Sequence, residues 1–402
     1  MNNRVLFITP RSVFLDSDRV FPPLGILYLK GVLDEAGVYS EIDDEFDFKD
    51  IERYGNFSHI CISCVTPQKD EAEMILSKVK KHFPFQKVII GGPHAIFYTN
   101  DCATLDYDHI VVGDGEKAII DILSGQGNKI INKNLSASEM NSMPLPFRSG
   151  DFLEKYQYSL DGLKTTTMIT SRGCPFNCGF CEHAKTKVRY YNPVRIEKEL
   201  ARVVELGYEA VMFFDDLFAV NQKRVDSLCE VIKPFGVKFR CFGHVKCMTP
   251  EIAKSLAKAG CVETGVGMES GSQKILDRVK FPTPTIEESH KYIEICHSCG
   301  IRVKAFFMLG LPGESRETIK ETEKFIANSG VDDFDLAIYY PYKGTRIRDR
   351  INEYDLFFDE GSAIGYYKGK LGKAEAVVRT SALSAEEIEN EKERIFKKYK
   401  AK

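Results

Sequence analysis

The 402-residue sequence has no tryptophan, no long apolar run and no excess of basic residues. The missing tryptophan has no evident physical reason. A helix that spans a bilayer needs about 18 consecutive apolar residues; no stretch approaches that length, so no membrane span is expected. The formal net charge is −3 and no basic patch is interleaved with aromatic residues, which argues against a nucleic-acid partner. The strand-like start, Met1 to Pro10, differs from a secretory signal, so we expect a cytoplasmic location.

Cysteine, in contrast, is abundant, with twelve residues. In a chain of this kind, that number argues for reduced thiols and metal binding. Cys174, Cys178 and Cys181 are spaced by three and then two residues on a loop that follows the apolar run 166–170. Thiolates select soft metals and iron–sulfur clusters. Three ligands leave one iron of a four-iron cluster open, as catalytic metal centres require. We therefore predict a 4Fe-4S cluster on this loop.

The alternative for this loop is a structural zinc site, with His183 recruited as a fourth ligand. Zinc ligands usually come in two pairs separated by a longer loop, which argues against zinc. The other Cys-x2-Cys pairs, Cys61 with Cys64 and Cys296 with Cys299, are expected to be structural, because buried cysteine behaves as a small hydrophobe. A lone histidine such as His244 is more often a satisfied polar residue than a ligand.

The order of predicted elements gives an α/β fold with two parts. Apolar runs near residues 4–9, 38–42, 59–63, 87–90 and 109–112 alternate with helical patterns, which indicates a Rossmann-like, doubly wound parallel sheet. A proline-rich stretch, Met143 to Phe147, follows in a turn-rich region. From residue 164, six strand–helix steps indicate a partial (β/α)6 barrel of the TIM type, short of the eight steps of a closed barrel. Ser381–Lys398 is expected to be a charged, solvated helix.

The cysteine loop, with Phe180 directly before its third cysteine, resembles that of the radical S-adenosylmethionine enzymes. The resemblance implies that the open iron is chelated by the amino and carboxylate groups of S-adenosylmethionine. It places Asp215 and Asp216, after the second barrel strand, beside the ammonium of that nucleotide; the alternative is that one of them caps the next helix. Glu269 and Ser270, in Gly-Met-Glu-Ser-Gly-Ser, resemble the segment that binds ribose and carboxylate. Gly310, in Gly-Leu-Pro-Gly, resembles the segment near the adenine.

The amino-terminal region resembles the cobalamin-binding domain of a large class of these enzymes. The matching positions lie in loops at the carboxyl ends of the strands, where such sheets bind ligands. They are Thr9, Thr66, Gly91, Gly92, Pro93, His94, Gly113, Gly115 and Glu116. The Asp-x-His-x-x-Gly loop that supplies a histidine to cobalt in other cobalamin proteins is absent, so the lower cobalt face is expected to lack a histidine ligand. The alternative is a Rossmann-like domain that binds no cobalamin.

The resemblance implies the domain boundaries. They are residues 1–125 for the cobalamin-binding-like domain, 126–163 for a linker, 164–345 for the radical barrel and 346–402 for a tail. No auxiliary cysteine-rich domain is expected.

The implied activity is methylation of an unactivated carbon in a small-molecule or natural-product substrate. A 5′-deoxyadenosyl radical abstracts a hydrogen atom, methylcobalamin supplies the methyl group, and flavodoxin or ferredoxin supplies electrons. The sequence identifies no catalytic proton donor or acceptor. One alternative is a rearrangement, cyclisation or oxidation with the same cofactors or with an empty first domain. Others, from different classes, are a non-catalytic iron–sulfur electron carrier and a zinc protein that binds nucleic acid.

Overall fold

The structure of the protein is a computed structural model, and it describes residues 3–12, 17–44, 51–182, 187–359 and 375–400. The chain folds into two compact units, with the division between Tyr156 and Gln157. Each unit contains its own largely parallel β-sheet, as the alternation of strands and helices predicts.

The sheet of the first unit has six parallel strands. They are β1 (Arg4–Ile8), β2 (Tyr39–Asp43), β3 (His59–Ser63), β4 (Lys87–Gly91), β5 (His109–Gly113) and β6 (Ile130–Lys133). Their order in the sheet is β2-β1-β3-β4-β5-β6. The order reverses between β1 and β3, and the crevice at such a switch point is where open α/β sheets bind ligands.

Helices cover both faces of this sheet, so the doubly wound prediction is confirmed. The helices are α1 (Leu24–Glu35), α2 (Lys69–His82), α3 (Pro93–Phe97), α4 (Thr99–Ala103), α5 (Gly115–Leu123), α6 (Ala137–Ser142) and α7 (Gly150–Leu153). Successive residues of β1 enter opposite cores: Leu6 and Ile8 pack with α2, whereas Val5 and Phe7 pack with α1 and α5. This division follows from the two-residue period of a strand.

The second unit contains a sheet of six parallel strands with one short antiparallel strand at its edge. In chain order its strands are β7 (Ser159–Leu160), β8 (Leu163–Met168), β9 (Ser171–Arg172), β10 (Arg189–Tyr190), β11 (Ala210–Phe213), β12 (Lys238–Gly243), β13 (Cys261–Glu269), β14 (Arg302–Leu309), β15 (Asp333–Ile338), β16 (Phe357–Phe358) and β17 (Val378–Arg379). The main sheet has the order β15-β14-β13-β12-β11-β8-β7, and β9–β10 and β16–β17 form separate pairs. This is the predicted six-step partial barrel.

Helices of the second unit alternate with its parallel strands. They are α8 (Pro193–Glu205), α9 (Gln222–Ile232), α10 (Pro250–Ala259), α11 (Gln273–Val279), α12 (Ile286–Ser298), α13 (Arg316–Asn328), α14 (Arg346–Asp349) and α15 (Ala385–Lys400). Side-chain caps fix where six of them begin, and those caps are Asn192, Asn221, Thr249, Thr285, Ser315 and Ser384. Each such cap stabilises its helix by about 1 kcal/mol.

Two elements differ from the predictions. The strand β6 lies within the stretch predicted to be a linker and extends the first sheet; its four residues include only two apolar side chains, too few to mark a strand. The terminal helix α15 is confirmed, but the prediction that it is only a solvated helix was wrong. Ile388, Lys392 and Ile395 are buried, and Arg394 pairs with Glu323 of α13 at 2.5 Å.

No helix among the described residues combines the length and the apolar character that crossing a membrane would require.

Candidate active site

A short hairpin at the end of the first barrel strand supports the cysteine loop. After β8, the strands β9 and β10 pair with Arg172 opposite Arg189. The loop between them carries Cys174, Cys178 and Cys181, all half-buried. The predicted cysteines therefore lie together at the carboxyl end of β8, as the sequence context indicates.

Backbone hydrogen bonds hold this loop against two other segments. The N–H of Gly179 donates to the carbonyl of Val279 at 2.7 Å, and the N–H of Asn177 donates to that of Phe281 at 3.1 Å. The carbonyl of Gly179 accepts from the N–H of Ile347 at 2.9 Å. A Cβ on Gly179 would lie 3.2 Å from the Ile347 side chain, so the glycine permits this close approach. The loop is thus positioned from the end of α11 and from α14.

The donor set of the loop fits an iron–sulfur cluster in chemistry and position. All twelve cysteines lie in described parts of the chain, and none forms a disulfide. Burial raises the pKa of Cys174 and Cys178, whereas the charge of Lys280 acts to lower both. Within the described residues, however, no three His, Cys, Asp or Glu side chains are gathered as a ready metal site. The three thiols therefore lie on one anchored loop, but their side chains are not yet arranged around a common metal position. Of the residues predicted around them, Phe180 is half-buried, and His183 lies outside the described residues.

The two aspartates predicted to bind the nucleotide contact the start of the cysteine loop. Asp215 is buried, and each of its carboxylate oxygens accepts from the N–H of Thr170 at 3.0 Å. Its Oδ1 also accepts from the hydroxyls of Thr170, at 2.7 Å, and Ser171. Asp216 Oδ2 accepts from the N–H of Gly173 at 2.9 Å. This arrangement makes the pair an anchor of the loop entrance; its role toward the nucleotide stays a prediction.

Arg224 balances the buried charge of Asp215. Burial raises the pKa of Asp215, and hydrogen bonds from Ser171 and Thr170 and the positive charge of Arg224 act against that rise. The Arg224 guanidinium donates to the carbonyl of Thr170 at 2.8 Å. The carboxylate and the guanidinium thus hold the same residue from two sides.

Glu269 ends β13 in an unusual backbone conformation. Its φ is +65°, in the left-handed region that side chains other than glycine rarely adopt. A Cβ on Gly267 would lie 2.1 Å from Oε1 of Glu269, so a larger residue there would displace this carboxylate. Backbone strain of this kind persists where the surroundings enforce it, often at functional sites.

Lys280 is the counter-ion of Glu269. Its buried Nζ lies 3.5 Å from Oε1 of Glu269 and also donates to the carbonyl of Gly267. Burial raises the pKa of Glu269, and Lys280 acts to lower it. Sequence reasoning missed this lysine. The one indication in the sequence that Lys280 is buried is its position between the apolar residues Val279 and Phe281.

Ser270 follows Glu269, but its side chain forms hydrogen bonds toward the helices that surround the barrel. Its hydroxyl is 3.1 Å from that of Thr322 and accepts from the N–H of Ser272 at 3.1 Å. The described contacts therefore assign Ser270 to the turn before α11; its predicted role toward the nucleotide stays a prediction.

The Gly-Leu-Pro-Gly segment after β14 is packed against the end of the chain. Gly310 has a φ of +82°, and a Cβ there would lie 2.9 Å from Val378. The side chain of Glu314 is fully buried, and its Oε2 accepts from the N–H groups of Gly310 and Leu311. Burial raises the pKa of Glu314 to about 8. Glycine at 310 is thus explained by Val378, and its nearness to adenine stays a prediction. Sequence reasoning also missed Glu314.

In the first unit, the predicted residues after β3 and β4 contact one another. Nδ1 of His94 lies 3.4 Å from the hydroxyl of Thr66, and its ring stacks on Tyr98 with centroids 4.9 Å apart. A Cβ on Gly92 would lie 2.9 Å from the carbonyl oxygen of Cys64. Glycine at this position therefore permits the chain to approach the backbone of Cys64 closely, and the predicted role of Gly92 toward cobalamin stays a prediction.

The remaining predicted residues of this unit occupy neighbouring strand ends. Gly91 is the last residue of β4, and Pro93 is the first of α3. A Cβ on Gly113, the last residue of β5, would lie 2.4 Å from the carbonyl oxygen of Lys133. The other two positions open α5, where Glu116 is buried and Gly115 packs against Leu29.

Thr9 follows β1 at the switch point of the first sheet. Its hydroxyl oxygen is buried and has no hydrogen-bond partner within the described parts of the chain. Buried polar groups are nearly always satisfied by protein, water or ligand. The switch point therefore has unused hydrogen-bonding capacity.

Residues 168–326 match the Radical SAM superfamily, a span that contains the cysteine loop, Asp215, Glu269 and Gly310. This part of the chain is a radical S-adenosylmethionine domain. A 4Fe-4S cluster and S-adenosylmethionine are the cofactors that this domain implies.

Curated relatives extend the similarity beyond this domain to most of the chain. The uncharacterized methyltransferase PH0819 of Pyrococcus horikoshii is 28% identical over 359 residues, covering 81% of this chain and 77% of that protein. The anaerobic magnesium-protoporphyrin IX monomethyl ester cyclase of Cereibacter sphaeroides is 24% identical, covering 88% of this chain and 65% of the cyclase.

A solved structure shares the fold. TsrM of Kitasatospora setae, a radical S-adenosylmethionine methyltransferase with cobalamin and a 4Fe-4S cluster bound, covers 98% of this chain and 85% of its own. The TM-score is 0.72 at 15% sequence identity. The chain therefore has the fold of TsrM, and the family match over residues 168–326 confirms the resemblance identified in the cysteine loop.

Proposed function

We propose that this radical SAM protein is a cobalamin-dependent C-methyltransferase that methylates an unactivated carbon of a small-molecule or natural-product substrate. The observation that carries the proposal is the likeness to TsrM, which spans 98% of the chain and so includes both units. When bound, the cluster would supply the electron that cleaves S-adenosylmethionine to a 5′-deoxyadenosyl radical, and cobalamin would carry the methyl group.

The chain's own residues would bind and orient these reagents. Cys174, Cys178 and Cys181 would hold the cluster, on a loop anchored through Asp215 and Gly179. Glu269, held by Lys280, would accept hydrogen bonds from the nucleotide. Lys280 already supplies a cation to this buried carboxylate, and a ribose hydroxyl or an ammonium of the nucleotide would add a hydrogen-bond donor.

The first unit would hold cobalamin at the carboxyl ends of its strands. The strand order places a switch point between β1 and β3, and the unsatisfied Thr9 hydroxyl there supports a ligand site. We further propose that no histidine ligates the lower cobalt face, because the chain lacks the Asp-x-His-x-x-Gly loop. A flavodoxin or ferredoxin would deliver the electron.

A second candidate keeps the same cofactors and performs a cyclisation, rearrangement or oxidation. The similarity to the anaerobic magnesium-protoporphyrin ester cyclase favours it. Atom balance separates the two reactions. Methyl transfer consumes two molecules of S-adenosylmethionine: the methyl donor leaves as S-adenosylhomocysteine, and the radical source leaves as 5′-deoxyadenosine and methionine. A cyclisation that uses the nucleotide only for hydrogen abstraction leaves 5′-deoxyadenosine and methionine without S-adenosylhomocysteine.

The test is an anaerobic incubation of iron-loaded protein with reductant and S-adenosylmethionine, with and without hydroxocobalamin. Methyltransferase function predicts S-adenosylhomocysteine in proportion to the cobalamin bound and none without it. Production of 5′-deoxyadenosine alone, at full cobalamin occupancy, would reject methyl transfer in favour of the second candidate. A protein that cleaves no S-adenosylmethionine with an intact cluster would reject both and favour the electron carrier.

A further inference from the structure

His244 directly follows β12 and faces the inner side of the barrel sheet. A Cβ on Gly243 would lie 2.4 Å from the Tyr292 hydroxyl, so that position faces the helices. Side chains alternate along a strand, which places Phe242 and His244 on the inner side. The His244 ring stacks on Phe176 of the cysteine loop, with centroids 3.9 Å apart and planes 27° apart. Only 8% of the histidine is exposed.

The backbone fixes the protonation of this ring. The N–H of Lys246 donates to Nδ1 of His244 at 3.1 Å. Nδ1 is therefore an acceptor without a proton, and the neutral ring carries its proton on Nε2. Burial, together with the charges of Lys280 and Lys246, lowers the pKa of His244 to about 3, which agrees with a neutral ring.

The Nε2–H group of His244 is a donor without an acceptor. Nε2 is buried, and nothing in the described parts of the chain bonds to it. Such a group in a native structure calls for a ligand or a water. Because the ring stacks on the loop between Cys174 and Cys178, an acceptor that satisfies Nε2 lies close to the cluster site.

The sheet order indicates which ligand supplies that acceptor. The strand β12 lies between β11 and β13. Asp216 follows β11 and Glu269 ends β13, and both are expected to line the nucleotide site. A nucleotide that reaches from one to the other passes the carboxyl end of β12, where His244 lies.

We propose that His244 Nε2 donates a hydrogen bond to an oxygen of bound S-adenosylmethionine, in its carboxylate or its ribose. The inference rests on the proposed radical SAM function and adds a binding residue to it. Phe176 sets the plane of the ring, and Lys246 sets its tautomer. The cysteine loop and the nucleotide site thereby share one side chain.

The test measures S-adenosylmethionine affinity by anaerobic calorimetry on iron-loaded protein. His244→Phe preserves an aromatic ring that can stack on Phe176 and removes the donor, so it should weaken binding about tenfold with iron content unchanged. The matched control is His290→Phe, since the His290 ring, on α12, contacts the Phe325 ring in a tilted arrangement away from this site. The control should bind as the wild type does.

A second ligand locates the acceptor. If the loss occurs with S-adenosylmethionine but not with its decarboxylated analogue, the acceptor is the carboxylate; an equal loss with both indicates the ribose. Unchanged affinity for both ligands, or a shifted cluster potential with unchanged affinity, would overturn the proposal. If His244→Phe retains no iron, His244→Gln replaces it in the test. The glutamine amide can still donate a hydrogen bond, so a tenfold loss of S-adenosylmethionine affinity in His244→Gln would overturn the proposal. A wild-type protein that binds no nucleotide would instead refute the proposed function.

Discussion

Nζ of Lys280 lies 3.5 Å from Oε1 of Glu269, and both side chains are buried beneath the carboxyl end of the barrel sheet. Removing one partner of a buried ion pair leaves an uncompensated charge, which costs about 3 kcal/mol or more. Lys280→Met should therefore lower the free energy of unfolding by about 3 kcal/mol in urea titrations. Lys280→Met combined with Glu269→Gln should recover most of that loss, because no buried charge remains.

The control for this pair is Lys246→Met. Lys246 pairs with Glu288 at 2.7 Å, but both side chains are partly exposed, and such pairs contribute about 0–1 kcal/mol. Equal losses in Lys280→Met and Lys246→Met would contradict a special role for the buried pair.

Replacing Glu269 should weaken nucleotide binding while the cluster stays intact. Loss of a charged hydrogen bond costs roughly 1.5–3 kcal/mol, so Glu269→Gln should raise the dissociation constant of S-adenosylmethionine at least tenfold in calorimetry. Asp216→Asn should have a smaller effect of the same kind. Asp215→Asn should instead lower the iron content, because its carboxylate holds Thr170 and Ser171. Unchanged affinity in both Glu269→Gln and Asp216→Asn would remove these assignments.

The three loop cysteines should account for all cluster iron. Anaerobic reconstitution should give about four irons per chain, and Cys174→Ala combined with Cys178→Ala and Cys181→Ala should give none. Cys102→Ala, at a buried cysteine of the first unit, should retain the full iron content. Stoichiometric zinc without iron in the wild-type protein would contradict this prediction.

Glu314 should make stability depend on pH. Its folded pKa of about 8 exceeds the ordinary value of 4.5. The folded protein thus retains a proton that the unfolded chain releases, so this contribution to stability falls as pH rises between those two values. The slope reaches about 1.4 kcal/mol per pH unit.

Glu314→Gln should remove that slope in urea unfolding measured from pH 5 to 8, since glutamine does not titrate. Glu386→Gln, at an exposed position of α15, should leave the slope as it is in the wild type. A slope that persists in Glu314→Gln would assign the effect to other groups.

Sequence reasoning reached the barrel and the cysteine loop because their signals are local. Strands such as Val303–Leu309 alternate with helices that begin at recognisable caps, and the cysteine spacing lies within eight residues. The structure confirms the six-step barrel on this basis.

The contacts that complete the site are not local. Asp215 accepts a hydrogen bond from Thr170, which lies 45 residues earlier in the sequence. The sequence therefore left two roles open for Asp215, binding the nucleotide or capping the next helix. Lys280 is a charged residue that normally favours solvent, and only the fold places it beside Glu269. The burial of α15 was indicated in the sequence, because Ile388, Lys392 and Ile395 recur at helical spacing. These residues form only one narrow row on a helix whose other residues are mostly charged, so the signal was weak.

The coordination of cobalt is a separate prediction. In protein loaded with cobalamin and reduced to cobalt(II), the electron paramagnetic resonance spectrum should lack nitrogen splitting from a histidine. His94→Ala should leave that spectrum unchanged, because His94 contacts Thr66 and Tyr98. Nitrogen splitting that disappears in His94→Ala would identify a histidine ligand and refute the prediction.

The central claim is that one chain holds both a cluster and cobalamin. Anaerobic purification with hydroxocobalamin supplied, followed by metal analysis and an ultraviolet–visible spectrum, tests it most directly. We expect about four irons and about one cobalt per chain, with the iron lost in the triple cysteine variant and the cobalt retained. Four irons without cobalt, in folded protein at micromolar hydroxocobalamin, would contradict the claim and leave a radical SAM enzyme whose first unit binds no cobalamin.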